Sequence, residues 1–340
     1  MKTSTHILDT LSRPIRDLRI SVTDRCNFRC SYCMPKEVFN SEYEFLRRDD
    51  LLSFEEIAKL ATIFASHGVK KIRLTGGEPL LRKNISILIE QLAAIKGIED
   101  VSLTTNGVLL NQAIAKDLKK AGLHRITISL DALDDETFKL ISDVSFNVDK
   151  VLQAIEIAEA AGLAPVKVNM VVKKGVNDHA IKPMVEYFHG SNIILRFIEF
   201  MDVGSTNHWQ MDDVYTAKQI VDDINSIHPI APADANYNGE VAKRWRFEDG
   251  EGEIGVISSV TQPFCQSCTR ARLSAEGKLY TCLFATQGKD LRHMLRAGAD
   301  DEHIADVIGA VWKKRTDRYS ELRSSDTSLL QKVEMSYIGG

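Results

Sequence analysis

A partial (β/α)6 barrel with a C-terminal extension is the α/β architecture this sequence predicts, and three observations carry it. From residue 17 to about 228, short β-rich runs alternate with helical patterns, the order that builds a parallel sheet with crossover helices. About six such units fall short of eightfold closure, which leaves a barrel that does not close, with an open sheet as the alternative. Past Ile230 the alternation stops and Pro229, Pro232, Tyr237, Asn238 and Gly239 suggest a loop-rich linker. The expected division is therefore a barrel over residues 1–228 and an extension over 229–340.

The strands are predicted at Leu18–Thr23, Lys71–Thr75, Val101–Thr105, Arg125–Leu130, Val166–Val172 and Ile193–Phe200. Helices are predicted over Ser53–His67, Asn84–Lys96, Asn111–Ala121, Val148–Ala161 and His179–Phe188. Ser53 and Glu56 form a capping-box pattern, and glycines such as Gly68 follow the helices as C-cap residues do. In the extension, Val241–Phe247 and Glu253–Val260 read as paired strands joined by Glu248-Asp249-Gly250, with a helix over Asp300–Trp312.

The barrel strands alternate apolar and polar residues instead of running continuously apolar, as strands covered on both faces do. Arg19, Arg73, Ser102, Thr104, Thr127, Ser129, Lys167 and Asn169 share the polar phase. With helices over the apolar face, the barrel interior is polar and carries Arg19, Arg73 and Lys167. Buried unpaired cations are costly, so such an interior implies an anionic ligand or carboxylate partners.

Composition excludes other classes. A formal net charge of −4 supplies no broad basic surface for nucleic acid. No apolar run is long enough for a membrane helix, and Met1–Asp17 lacks the apolar core of a signal peptide. A cytoplasmic location is expected, where disulfides are rare. The six cysteines are not scattered: Cys26, Cys30 and Cys33 form one trio, and Cys265, Cys268 and Cys282 another. Structural zinc takes four ligands, and the first trio has no fourth nearby. A 4Fe–4S cluster normally takes four cysteines, so three leave one iron open to another ligand. For the second trio zinc remains an alternative, with His293 as fourth ligand. Between its cysteines, Arg270 and Arg272 share one face if extended.

Cys26-x3-Cys30-x-Tyr32-Cys33 after the first strand resembles the signature of the radical S-adenosylmethionine (SAM) superfamily, and Thr75-Gly76-Gly77-Glu78-Pro79 resembles its GGEP segment. Further words narrow the resemblance to the GTP 3′,8-cyclase family of molybdenum-cofactor biosynthesis. They are Arg13–Arg19, Thr104-Thr105-Asn106-Gly107, Ser129-Leu130-Asp131, Arg196–Met201, the second trio with Arg270-Ala271-Arg272, and the Gly339-Gly340 end.

The resemblance implies a barrel of the radical SAM type, a 4Fe–4S cluster on each trio, and SAM on the open iron of the first. It implies SAM contacts from Tyr32, Gly77, Ser129 and Met201, and GTP contacts from Arg19, Arg73, Thr104, Lys167, Arg270 and Arg272. Gly339 and Gly340 would reach into the active site. The implied reaction is a lyase-type cyclisation of GTP begun by a 5′-deoxyadenosyl radical at C3′. Implied partners are an electron donor and the downstream cyclic pyranopterin monophosphate synthase, with the chain a monomer or homodimer. Two rivals are a radical SAM peptide-modifying enzyme with an auxiliary cluster and a non-enzymatic iron–sulfur or zinc regulatory module.

Overall fold

The computed structural model describes residues 7–324 and 330–339. Gly340 lies outside the described residues. Six strands form where the alternation places them: β1 (Asp17–Ser21), β2 (Lys71–Thr75), β3 (Asp100–Thr105), β4 (Arg125–Ser129), β5 (Lys167–Val172) and β6 (Ile194–Glu199). Between them run α1 (Phe54–Ser66), α2 (Ile85–Ala93), α3 (Gln112–Lys120), α4 (Asp135–Ser142), α5 (Asp149–Ala160) and α6 (Ile181–Phe188). The Ser53 capping box forms, with the Glu56 amide on the Ser53 hydroxyl and the Ser53 amide on the Glu56 carboxylate. The rest comprises α7 (Ala217–Asn225), β7 (Ile230–Ala233), β8 (Lys243–Phe247), β9 (Glu253–Ile257), β10 (Arg270–Leu273), β11 (Lys278–Tyr280), β12 (Lys289–Asp290), α8 (Arg292–Arg296), α9 (Asp301–Lys313) and α10 (Met335–Ile338).

Three elements differ from expectation. The short helix α4 starts at Asp134, whose carboxylate caps the Thr137 amide at 2.7 Å, and Phe138 packs edge-on against Phe28 of the first cysteine loop. The helix α7 starts at a Thr216–Gln219 capping box. The expected linker at Pro229–Pro232 instead contains β7, the outermost strand of the sheet, where a proline removes no needed donor.

The extension does not fold apart. One 12-stranded sheet runs β12-β11-β10-β1-β2-β3-β4-β5-β6-β9-β8-β7. The strands β1 to β6 are successively parallel, β9 lies parallel to β6, and β10 lies parallel to β1. Residues beyond 250 thus supply both flanks of the six-strand core, and the parallel run reaches eight strands. All eight contribute side chains to one cavity, so the sheet curls around it.

The period-two pattern sorts the two faces. Leu18, Ile20, Ile72, Leu74, Val101, Leu103, Ile126, Ile128, Val168 and Met170 are fully buried in the main core. Their polar neighbours Arg19, Arg73, Thr104, Ser129, Lys167 and Asn169 line the cavity. Among the described residues no helix is long and apolar enough to cross a membrane.

Candidate active site

The cavity measures about 350 Å³ and is lined by all six cysteines. Cys26, Cys30 and Cys33 stand on the loop after β1. Burial is the main cause that pushes the Cys26 thiol up to about 12 and raises those of Cys30 and Cys33 as well. A trio of buried thiols with raised pKa values ionises only beside a strong positive charge, which is what a metal centre provides. Tyr32 lines the cavity, and its hydroxyl donates to Asp131 at 2.8 Å. Asp131 in turn accepts from the Val171 amide at 2.8 Å, so the loop is braced against β5.

The expected role of Gly77 was to let backbone approach a ligand; its first task is to let backbone approach the cysteine loop. The Gly77 amide donates to the Thr23 carbonyl and the Glu78 amide to the Arg25 carbonyl, both at 2.8 Å. A Cβ on Gly77 would fall on the Arg25 carbonyl oxygen, and one on Gly76 on that of Thr23. Glu78, to which no role was assigned, is fully buried and accepts from the Thr105 hydroxyl at 2.7 Å, the Asn106 amide at 2.8 Å and the Leu80 amide at 3.0 Å. Asn106 extends this network to Asn27 at 2.8 Å, so the turns after β1, β2 and β3 are locked together around Cys26.

The second trio is gripped by an ion network that long sequence separation concealed. The Arg13 guanidinium binds Asp9 at 2.6 Å, the Cys265 carbonyl at 2.7 Å and the Asp317 carbonyl at 2.8 Å. Arg315 binds the Cys268 carbonyl at 2.7 Å and the Cys268 sulfur at 3.1 Å. Burial pushes the Cys268 thiol up, but Arg270 and Arg315 outweigh it and bring it down to about 7. His293, the alternative zinc ligand, is exposed on α8 and outside the cavity. Among the described residues, the only three His, Cys, Asp or Glu ligand atoms all within 4.8 Å of one another belong to His189, His228 and Asp249. Neither cysteine trio meets that spacing, whereas thiolates on one tetrahedral zinc lie ~3.8 Å apart. The donor sets suit a centre larger than a single ion.

Between the trios lies a basic chamber. Arg19, Arg73, Thr104, Lys167, Arg270 and Arg272 all line it, as expected, and Arg125 and Arg196 join them. Arg125 is neutralised by Asp100, but Arg19, Arg73, Lys167, Arg196, Arg270 and Arg272 have no ion pair among the described residues. Burial, then Arg272, Arg73 and Arg270, drives the Arg19 guanidinium well down. Burial with Arg196, Arg125 and Arg73 brings Lys167 down to about 7, and burial with Arg73 and Arg125 brings Arg196 to about 9. Arg196 Nε, Arg270 Nη1 and Asn169 Oδ1 are buried without a hydrogen-bond partner. The two unsatisfied guanidinium donors, in a field of like charge, are the mark of a site shaped for a polyanion.

Ser129 and Met201 line the same cavity, Met201 with its sulfur 3.4 Å from the Ser259 hydroxyl. Glu199, two residues before Met201 at the end of β6, is fully buried and accepts from the Val260 amide at 2.8 Å and the Thr261 amide at 2.9 Å. It anchors the turn that leads into the second cysteine loop. The C-terminal segment returns to this centre: Arg272 donates to the Gly339 carbonyl, and a Cβ on Gly339 would fall on Thr75.

Residues 20–188 match the Radical SAM superfamily and residues 193–321 the Molybdenum Cofactor Synthesis C family. The chain is 49% identical over 338 residues to a GTP 3′,8-cyclase of Staphylococcus epidermidis, covering 98% of this chain and 99% of the relative. It is 47% identical over 359 residues to a GTP 3′,8-cyclase of Acidothermus cellulolyticus, again covering 98% and 99%. Among solved structures, Streptococcus suis SuiB bound to S-adenosylmethionine aligns with a TM-score of 0.61 over 93% of this chain and 72% of that one. At 16% identity that likeness speaks to the fold alone. Two cysteine trios on one basic cavity, and near-complete overlap with these relatives, place the chain in the GTP 3′,8-cyclase family of the radical SAM superfamily, acting in molybdenum-cofactor biosynthesis.

Proposed function

We propose that this protein binds GTP in the basic chamber and joins C3′ of the ribose to C8 of the base, giving (8S)-3′,8-cyclo-7,8-dihydroguanosine 5′-triphosphate, the first step of molybdopterin biosynthesis. One observation carries the reading: two thiol trios, each one donor short of a full cluster set, face the same unpaired cations. Cys26, Cys30 and Cys33 would hold one 4Fe–4S cluster, and Cys265, Cys268 and Cys282 a second. When bound, the first cluster and SAM supply a 5′-deoxyadenosyl radical able to take the C3′ hydrogen of GTP.

The chain's own part is position and water exclusion. Tyr32, Gly77, Ser129 and Met201 border the SAM side. Arg19, Arg73, Thr104 and Lys167, with Arg196, neutralise the triphosphate without a Walker A loop. Arg270 and Arg272 orient the base towards the second trio, and Gly339 closes the chamber. An electron donor must supply one electron for reductive cleavage of SAM and a second, with a proton, to complete the cyclised nucleotide, and cyclic pyranopterin monophosphate synthase would consume the product. The reaction is a lyase reaction in the cytoplasm.

The rival reading is a peptide-modifying enzyme of the same superfamily. SuiB has been solved bound to precursor peptide SuiA, but at 15% identity this bears on fold only. A chamber of unpaired guanidinium groups fits a triphosphate better than a peptide backbone. Anaerobic incubation with SAM, a reductant and GTP tests the choice. GTP-dependent formation of 5′-deoxyadenosine with a stoichiometric cyclised nucleotide supports it; 5′-deoxyadenosine that does not depend on GTP sinks it.

A further inference from the structure

The loop after β6 carries Met201 and then Asp202, which is 3% exposed. The Asp202 carboxylate is enclosed by Lys332 Nζ at 2.9 Å, Arg323 Nε at 2.9 Å and the Tyr319 hydroxyl. Lys332, 4% exposed, also donates to the Asp202 carbonyl at 2.8 Å. Both cations rest over the stacked rings of Phe284 and Tyr319, whose centroids are 4.4 Å apart. Phe284 stands two residues past Cys282, and the next residue, Ala285, accepts the Val333 amide at 3.0 Å.

A second grip adjoins the first. Glu334 accepts from the Ser205 amide at 2.9 Å and the Thr206 hydroxyl at 3.0 Å, and the Lys332 amide donates to the Ser205 hydroxyl at 2.9 Å. Gly204, at φ +70, leaves the room Glu334 occupies, for a Cβ there would fall on its carboxylate. Five residues beyond Glu334, the Gly339 carbonyl meets Arg272. One knot therefore joins the loop bearing Met201, the loop bearing Cys282 and the C-terminal segment.

We propose that Asp202 is a positioning residue that, through Lys332 and Arg323, fixes the entry of residues 330–339 into the cavity and so couples the Met201 loop to the seat of the Gly339 carbonyl on Arg272. The proposal deepens the cyclase reading and rests on it for the consequence on turnover. Removing a buried partner leaves charges uncompensated, a cost that release of the segment avoids more cheaply than unfolding of the sheet. Linkage requires the converse too: whatever orders the Met201 loop must also tighten the segment.

The test uses the full chain with its iron reconstituted, comparing Asp202→Asn, Lys332→Met and Lys332→Arg by hydrogen exchange over residues 330–339 and by GTP kinetics. In Asp202→Asn and Lys332→Met, exchange protection of the segment should fall by at least about tenfold and kcat drop by more than KM rises, while iron content holds. Lys332→Arg, which keeps the charge, should restore most of both. Unchanged protection in Asp202→Asn and Lys332→Met overturns the proposal whatever happens to activity. Should Asp202→Asn fail to fold, Lys332→Met decides alone. A wild-type enzyme that does not cyclise GTP would refute the cyclase reading but leave the exchange result standing on its own.

Discussion

Arg315 reaches the Cys268 sulfur at 3.1 Å with the same guanidinium that holds the Cys268 carbonyl at 2.7 Å and approaches Asp9 at 3.4 Å. A side chain from just past α9 thus fixes both the backbone and the ligand atom of the second trio. Replacing it with methionine fills most of the volume but removes those bonds. In Arg315→Met we expect reconstituted iron to fall from about eight to about four per chain, at four per cubane. SAM cleavage at the first centre should persist. Iron held at about eight would show that Arg315 is not needed to hold the second centre.

Gly77 yields a steric prediction. Alanine there collides with the Arg25 carbonyl, and because the obstacle is backbone next to Cys26 it cannot swing away. The overpacking cost is about 1–3 kcal/mol and falls on the first cysteine loop. Gly77→Ala should lower both SAM-dependent 5′-deoxyadenosine formation, by at least about tenfold, and iron retention. Gly97→Ala is a stringent control: it takes on backbone strain at φ +99, which Gly77 does not carry, but meets nothing within 4 Å. Equal loss in both variants would discredit the collision as the cause.

Lys167 predicts a pH dependence. Burial and the charges of Arg196, Arg125 and Arg73 bring its ammonium down to about 7. A triphosphate opposes that field and raises the value in the complex. Below about pH 7 the ammonium is charged before and after binding, so affinity is flat; above it, binding must take up a proton and weakens by up to about tenfold per pH unit. Calorimetry in buffers of different ionisation enthalpy should record proton uptake near pH 8 in the wild type and less in Lys167→Met. An affinity that does not change across this range would contradict the assignment.

Arg196 tests whether the unpaired donors serve the anion. Charge-assisted hydrogen bonds contribute about 1.5–3 kcal/mol, so Arg196→Ala should weaken GTP binding by about ten- to hundredfold. The salt dependence of binding should flatten, and SAM affinity should stay as it is. Equal loss of SAM and GTP affinity in equilibrium titrations would mean that Arg196 supports the barrel and not the substrate.

What was legible in the sequence was whatever local periodicity encodes. Alternation on β1, β2, β3 and β5 picked out Arg19, Arg73, Thr104 and Lys167, and the cavity contains them all. Cysteine spacing found both trios, and all six thiols line the same cavity. Arg125 opens its strand, so no alternation precedes it to mark its phase, whereas the place of Arg196 on β6 follows the same alternation as the others. The Asp9–Arg13–Arg315 network and the placement of β10 beside β1 escaped for another reason: their partners are far apart in sequence, and no local pattern carries that information. The short helix α4 owes its stability to the Phe28 and Phe146 contacts more than to its own eight residues.

The flanks of the sheet have a consequence for biosynthesis. Asp17 pairs with Arg270, about 250 residues downstream, so β1 waits for its outer neighbour until most of the polypeptide has left the ribosome. Until Glu253–Ile257 and Arg270–Leu273 emerge, the nascent barrel has two open strand edges, each a template for pairing with another chain. The strands that close those edges also bracket Cys265 and Cys268, and Cys282 follows them just past β11. Hiding the edges and gathering the second cysteine trio therefore depend on the same late stretch of chain, and a molecule stalled before it would be at once adhesive and inert.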